Sequence, residues 1–284
     1  MGHIAIATDS TVNLPPELIE AHKISTIPLN IHWGEETYLD GVTLDINTFY
    51  QWLQERDDFP KTSQPSVGKF IEFFKGIAER FNTDTILGIF LSGELSGTLS
   101  SAMQAKAELP DLRIELVDSR SLSMGMGFQV LEAARASQEG LPLDAVLERV
   151  YQVRARTELF IALDTLEYLH RGGRIGGAAR LLGTMLSFKP VLAVENGKIE
   201  ALEKTRGRTK SLQKLIEIAE QRLAGRHPDE LAIVHVGAEE EAALLKKWVS
   251  ERIQPKRLYT NTLSPVLGTH GGPGAIGFSF YTKA

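Results

Sequence analysis

Apolar and polar positions follow two periods along this chain and change over at regular intervals. Ile4 to Ala7 is a short apolar run that predicts a buried strand. Leu14-Pro15-Pro16-Glu17 follows, with proline where a first helical turn accepts it. Ile24 to Ile31 predicts a second strand and Ile46 to Leu53 a short helix. Past Ser66, the residues Phe70, Ile71, Phe74 and Ile77 share one face of a helix. Thr85 to Leu91 is an almost continuous apolar run, which marks a strand covered on both faces, as in a parallel sheet. Thr98 to Leu109 predicts a helix, Ile114 to Val117 a strand and Met126 to Glu139 another helix. This alternation predicts a doubly wound, mostly parallel N-terminal sheet.

Gly140-Leu141-Pro142 interrupts the pattern, and Leu143 to Arg154 predicts a connecting helix. The remainder reads differently. Leu159 to Leu163 and Lys189 to Glu195 predict strands. Asn196-Gly197 is a hairpin signal, so Lys198 to Glu203 is expected antiparallel to the strand before it. Ser211 to Leu223 predicts an amphipathic helix. Leu231 to Val236, Arg257 to Asn261 and Ile276 to Tyr281 predict strands, and Glu239 to Val249 a helix. The fold class expected is α/β, with a second α+β domain carrying a mixed sheet. The expected division is 1–155 and 156–284.

Composition narrows the function classes. The 284 residues suit two domains. A net charge of −5 argues against a nucleic-acid footprint, which calls for a basic face and a basic total. Absence of cysteine removes disulfides, thiolate metal sites and cysteine nucleophiles, and fits a reducing compartment. The N-terminal apolar stretch is too short for a signal peptide. No apolar run approaches the roughly 18 residues of a membrane span. A cytoplasmic location follows as the expectation.

Five loops can carry chemistry. Ser92-Gly93-Glu94-Leu95-Ser96-Gly97-Thr98 lies between an apolar strand and a helix, where backbone N–H groups favour an anion. Open α/β sheets bind ligands at that edge. Glu94 stands where a phosphate loop would bring lysine, so a carboxylate or neutral group is favoured over a polyphosphate. The plain alternative is a turn with Thr98 as N-cap. Lys61-Thr62-Ser63-Gln64-Pro65-Ser66 offers the hydroxyls of Thr62 and Ser63 ahead of a helix that Ser66 can cap; it reads equally as a turn plus a cap. Gly268 to Gly277 holds five glycines around His270, implying left-handed turns or a close backbone approach. His270 is a candidate carboxylate partner or a structural histidine. The G-x-G-x-x-G spacing from Gly272 is no dinucleotide fingerprint, because a strand follows it instead of a helix. Arg171-Gly172-Gly173-Arg174-Ile175 and Thr205-Arg206-Gly207-Arg208 are basic loops that can reach phosphate or simply face solvent. No G-x-S-x-G elbow, Walker lysine motif or metal-ligand histidine spacing is present. Asp9 and Asp118 follow strands and could ligate metal or cap helices.

Ala7-Thr8-Asp9-Ser10-Thr11, Thr62-Ser63-Gln64-Pro65-Ser66, Leu95-Ser96-Gly97-Thr98, Arg171-Gly172-Gly173-Arg174-Ile175 and the His270 glycine loop resemble in order the motifs of the DegV family, the fatty-acid-binding subunits of bacterial fatty acid kinase (FakB type). The resemblance spans nearly the whole chain. It implies two α/β domains with a long-chain fatty acid (C16–C18) buried in one and its carboxylate near the cleft between them. It also implies no catalysis by the chain alone, no cofactor and no metal. Thr62 and Ser96 become the main carboxylate ligands, with Ser63, Gly97 and His270 beside them and Arg206 on the head-group side. Arg171 matches an exposed arginine linked to phosphoryl transfer with an ATP-dependent kinase subunit. Two rival readings stand beside the carrier. One is a serine-type acyl hydrolase with Ser96 as nucleophile and His270 as base. The other is a regulator binding a nucleotide or small anion at the Ser96 loop.

Overall fold

A computed structural model describes residues 4–184 and 188–283. The elements of the first half are β1 (Ala5–Asp9), α1 (Pro16–Ala21), β2 (Ser25–Ile27), β3 (Asn30–Trp33), β4 (Glu36–Leu39), α2 (Ile46–Glu55), β5 (Lys61–Ser63), α3 (Val67–Phe81), β6 (Thr85–Phe90), α4 (Thr98–Ala107), β7 (Arg113–Asp118), α5 (Ser123–Gln138) and α6 (Leu143–Arg156). The second half comprises β8 (Thr157–Ala162), α7 (Glu167–Arg171), β9 (Lys189–Glu195), β10 (Lys198–Thr205), α8 (Arg208–Leu223), β11 (Glu230–His235), α9 (Glu239–Arg252), β12 (Arg257–Thr262), α10 (Pro265–Gly271) and β13 (Ile276–Tyr281).

The first sheet has the order β2-β1-β6-β7, with every neighbour pair parallel. The apolar run of β6 occupies its interior because helices cover both faces. Phe70, Phe74 and Ile77 of α3 join Ala102 and Ala105 of α4 on one side. On the other side lies α5, in which only Arg135 and Gln138 escape burial. A helix apolar nearly all round needs partners on all sides, and α5 finds them by packing against both β1 and β13. The second sheet has the order β10-β9-β8-β13-β11-β12; it is antiparallel except for β11 with β12, hence mixed. Asn196 and Gly197 both take positive φ (51° and 83°), as a two-residue hairpin between β9 and β10 requires. Along β13 the side chains alternate: Ile276, Phe278 and Phe280 enter the core under α8 and α9, while Tyr281 joins the core shared with α5.

Three expectations change. The run from Ile24 to Ile31 is two strands in two different sheets, because Pro28 between them cannot donate to a ladder. The second of these, β3, builds a small antiparallel sheet of order β4-β3-β5 that periodicity did not predict. The glycine-rich segment begins inside a helix, α10, whose N-cap is Ser264 with Pro265 in its first turn. Its glycines do meet the two demands anticipated: Gly272 and Gly274 have φ of 73° and 76°, and a Cβ on Gly268 would lie 2.4 Å from the Tyr50 hydroxyl.

Two ties hold the halves together. At one edge Arg135 of α5 pairs with Glu230 of β11, which is 1% exposed and also accepts from Arg257 and Tyr259. At the other, the buried Asp40 accepts from Ser10 Oγ (2.6 Å) and from the Val266 N–H (3.2 Å) at the start of α10. Burial is the main cause that pushes the Asp40 carboxyl up to about 6, against the hydroxyl and N–H donors that favour its charged form. In an unfolded chain it titrates near about 3.9. Folding therefore favours the protonated acid. Its contribution is full below about pH 4 and is lost as pH rises through 6, amounting to about 3 kcal/mol. Asp40→Asn should shift stability by a pH-independent amount for its altered bonding, and then gain on the parent by about 2–3 kcal/mol between pH 4 and 7. Denaturant titrations of both proteins across that range measure the difference, and parallel pH profiles would contradict it.

Candidate functional site

Where the three sheets meet, an apolar cavity runs between the first half and the inner face of the second sheet. Leu159, Ile161 and Leu163 line one wall, and Gly277 and Ser279 of β13 lie beside them in register. Leu29, Leu91, Leu95 and Leu122 close it from the first half. Successive residues of β8 point to opposite faces, so the same strand feeds the cavity with odd-numbered side chains and the outer core with Phe160 and Ala162.

Most of the polar groups in this lining converge at one place. β5 carries Thr62 and Ser63, and the loop after β6 carries Ser96. The Thr62 hydroxyl lies 2.8 Å from His270 Nε2. Ser63 Oγ accepts from Asn30 Nδ2 (3.2 Å) and lies 2.8 Å from His32 Nε2. Ser96 Oγ lies 2.8 Å from Thr98 Oγ1 and accepts the Thr98 N–H at 3.3 Å. The expected capping residue is thus displaced: Gly97 is the N-cap of α4, and Thr98 is its first helical residue. A Cβ on Gly97 would lie 3.0 Å from the Gln64 amide, so glycine there lets the two loops close on each other.

Arg174 joins these parts, and sequence reasoning placed it only in a basic loop. Its Nε donates to the Leu95 carbonyl (3.2 Å), next to Ser96, and its Nη1 to the Gly172 carbonyl (2.8 Å). Burial and the Arg174 charge push the His270 ring down to about 4. The ring is neutral near pH 7 and carries one N–H. With that proton on Nε2 it donates to Thr62 Oγ, and the Thr62 hydroxyl is left to donate into the cavity. The buried Nδ1 has no hydrogen-bond partner, and Gly172 packs directly against it. Hydroxyl donors, the start of α4 and one guanidinium can hold a carboxylate out of water.

The other candidates separate. Arg171 is exposed, 3.4 Å from Glu167 Oε1, with its guanidinium 5.1 Å from the centre of the Phe59 ring. It shares a shallow groove with Lys61, Thr62, Arg174 and His270 just outside the cavity. Arg206 is not part of the cavity lining; its guanidinium lies 5.2 Å over the Phe188 ring. Glu94 lies 3.4 Å from Lys198. His270 bonds to Thr62 and Ser96 to Thr98, so the serine–histidine pair that nucleophilic catalysis uses is not assembled. His3 lies outside the described residues, and among those described no three His, Asp or Glu side chains cluster as metal ligands. Asp9 accepts backbone and hydroxyl donors from Thr11 and Leu91, and Asp118 accepts the Arg120 N–H. Among the described residues, no helix is long and apolar enough to cross a membrane.

Such a cavity defines the class: a two-domain α/β protein that encloses an apolar pocket with a polar head. The chain belongs to the DegV family, whose model, described as uncharacterised protein, matches residues 3–283. It is 37% identical over 276 residues to a DegV domain-containing protein of Streptomyces coelicolor, covering 97% of each chain. Protein DegV of Bacillus subtilis is 31% identical over 283 residues, covering 99% of this chain and 100% of that one. Among solved structures, a DegV family protein from Thermus thermophilus, described by its fatty acid binding, matches with a TM-score of 0.93 and 34% identity, over 99% of this chain and 100% of its own. A stearic-acid-binding protein from Eubacterium ventriosum matches with a TM-score of 0.90 and 27% identity, over 99% and 98%.

The His270 ring is expected to stay neutral from pH 8 to about 5, since its midpoint is held near 4. Arg174→Gln should raise that midpoint by removing the adjacent charge. Ring-nitrogen chemical shifts followed by NMR against pH check both statements. A midpoint at the ordinary 6.5 in the parent protein would overturn this electrostatic reading.

Proposed function

We propose that this chain is a carrier that binds one long-chain fatty acid, C16–C18, and presents its carboxylate to a separate ATP-dependent kinase subunit for acyl-phosphate formation in the cytoplasm. The observation that carries the reading is an apolar cavity with most of its polar groups gathered around Thr62, Ser96 and His270. The fatty-acid binding of the structural neighbours supports it. The reading takes residues 1–155 as the domain that supplies the carboxylate loops and 156–284 as the domain that supplies the cavity's sheet. In support, α6 ends at Arg156 and β8 opens the second sheet.

Energetics favour such a ligand. Burying an alkyl chain is favourable by about 0.8 kcal/mol per CH₂. A C16 acid therefore gains on the order of 10 kcal/mol before entropy costs. The carboxylate then needs donors that replace water. In this reading Thr62 and Ser96 are the main ligands, Ser63, Gly97 and His270 support them, and Arg174 supplies a nearby cation. Arg206 belongs to the outer basic surface on the head-group side. The carrier's own residues bind and orient the acid. Arg171, exposed beside the groove at the cavity mouth, is available to a partner or a transferring phosphate.

Native mass spectrometry of the purified protein should show an added mass near a fatty acid that organic extraction removes. Extraction yielding no lipid, with no uptake of added palmitate or oleate, would sink the carrier. A hydrogen bond to a charged group contributes roughly 1.5–3 kcal/mol. Ser96→Ala and Thr62→Ala should each weaken binding about 10- to 150-fold, non-additively because they share one carboxylate. Unchanged affinity in both would contradict the assignment. Acyl phosphate should form from ATP only when the kinase subunit is added. Arg171→Ala should then bind fatty acid normally while turnover falls about tenfold or more, equivalent to about 1.4 kcal/mol of barrier. Loss of lipid in that variant would instead move Arg171 to the head-group site.

A further inference from the structure

One polar group in the cavity wall lies away from the head and has no partner. Ser123, the first residue of α5, lines the cavity and is 1% exposed. Its Oγ makes no hydrogen bond. Its φ is +50°, a left-handed conformation that a non-glycine residue adopts at a cost and that recurs at ligand-binding positions. Ser279, at 3% exposed, is a second hydroxyl in the same wall, on the face of β13 that Gly277 shares. Both serines line the same cavity, and Leu159 lies beside the strand of one and the helix of the other. Ser279 is the register partner of Leu159. Leu159 Cδ1 in turn lies 3.0 Å from where a Cβ on Gly125 would stand, two residues past Ser123.

The distance from the head follows from the strand. Gly271, next to His270, packs on Ala275, with Ala275 Cβ 3.3 Å from the position of a Cβ on Gly271. Ser279 is four residues further along the chain. At about 3.3 Å per residue this is roughly 13 Å. An extended alkyl chain with bonds of about 1.5 Å advances about 1.25 Å per carbon, so Ser279 stands opposite roughly its tenth carbon. Around the two serines the wall is hydrocarbon: Leu159, Ile161 and Val234. A plain alkyl chain would leave the Ser123 hydroxyl buried and unpaired, which native proteins avoid.

We propose that Ser123 and Ser279 form a second recognition point in the cavity, selecting a long-chain acid that carries an oxygen, as hydroxyl or ketone, near the middle of its chain. This rests on the fatty-acid reading and specifies its ligand further. Ser123 donates to the ligand oxygen. Ser279 can accept from a ligand hydroxyl or donate to a ketone. Discrimination arises because an oxygen placed elsewhere along the chain is buried against leucine and isoleucine with no partner.

The test uses the full chain stripped of lipid and a series of octadecanoic acids in which one hydroxyl walks from near the carboxylate to the terminal carbon. Every isomer carries the same hydroxyl, so only position varies. Affinity should peak for a hydroxyl at roughly the tenth carbon, about tenfold above isomers displaced by several carbons on either side, which corresponds to about 1.4 kcal/mol. In Ser123→Ala that peak should flatten to less than about threefold, while octadecanoic acid itself binds as well or better. Ser279→Ala should flatten it too, and decides the matter if the first variant fails to fold. Affinity that is flat or falls steadily along the series, or a peak that survives in both variants, overturns the proposal. Failure of octadecanoic acid and every isomer to bind would instead remove the fatty-acid reading beneath it.

Discussion

Everything at the candidate site depends on two carboxylates buried at the end of β1. Asp9 accepts from the Thr11 N–H (2.9 Å), the Thr11 hydroxyl (2.5 Å) and the Leu91 N–H (2.8 Å). The last bond fixes the point where β6 opens into the Ser96 loop. Asp40 takes the Ser10 hydroxyl on one side and the N–H of Val266 on the other, fixing the start of the helix that carries His270. Burial pushes both carboxyls upward. Removing either would leave its donors without acceptors in a dry interior, a loss larger than any single bond contributes. Three segments distant in sequence, around residues 62, 96 and 270, are set against one another from this cluster. The loop after β6 is held further by the β9–β10 hairpin, where Ser92 Oγ donates to the Gly197 carbonyl at 2.8 Å.

With the loops fixed, the cavity follows from a shortage of side chain. The helix α5 packs against both sheets but fills only part of the space between them, and glycines at 125 and 277 keep the local backbone close. A Cβ on Gly277 would lie 2.7 Å from a Val234 methyl, so this position of β13 tolerates no side chain without movement. Close-packed interiors rarely leave such voids. One lined mainly by leucine and isoleucine, with most of its polar groups gathered toward one end, is shaped for an amphipathic guest. The second tie, Arg135 to Glu230, lies on α5 and β11 away from the cavity lining. It holds the halves together without placing a charge in the cavity.

The electrostatics at the mouth are restrained. Arg174 is the one cation in the cavity lining among the described residues, and two of its donors are spent on backbone carbonyls. Its charge and the burial around it keep His270 neutral. A site built mainly from hydroxyls and N–H groups can accept a carboxylate or a related acyl group without a large change of charge. Two further cations, Lys61 and Arg171, stand outside in the groove, where solvent screens them.

How much of this was legible beforehand follows from the range of each signal. Periodicity and turn chemistry act over a few residues. They determined the parallel run at β6, the Asn196-Gly197 hairpin and the change from a parallel to a mixed sheet, while that Thr62, Ser96 and His270 share one site was implied only by the resemblance to the DegV family. Pro28 could have warned that the run from Ile24 to Ile31 divides, and Ser264-Pro265 that a helix starts before His270. Both signals were present and outweighed by apolar continuity and by the glycines. The bond between Thr62 and His270, the placement of Arg174 against the Ser96 loop, and the place of Ser123 in the cavity wall were not legible at all. Each depends on residues far apart in the chain being brought together by the packing of whole elements. The sequence by itself determined the elements and the chemistry available; only the tertiary structure decided which groups meet, because long-range contacts depend on how whole sheets pack and leave no local pattern behind.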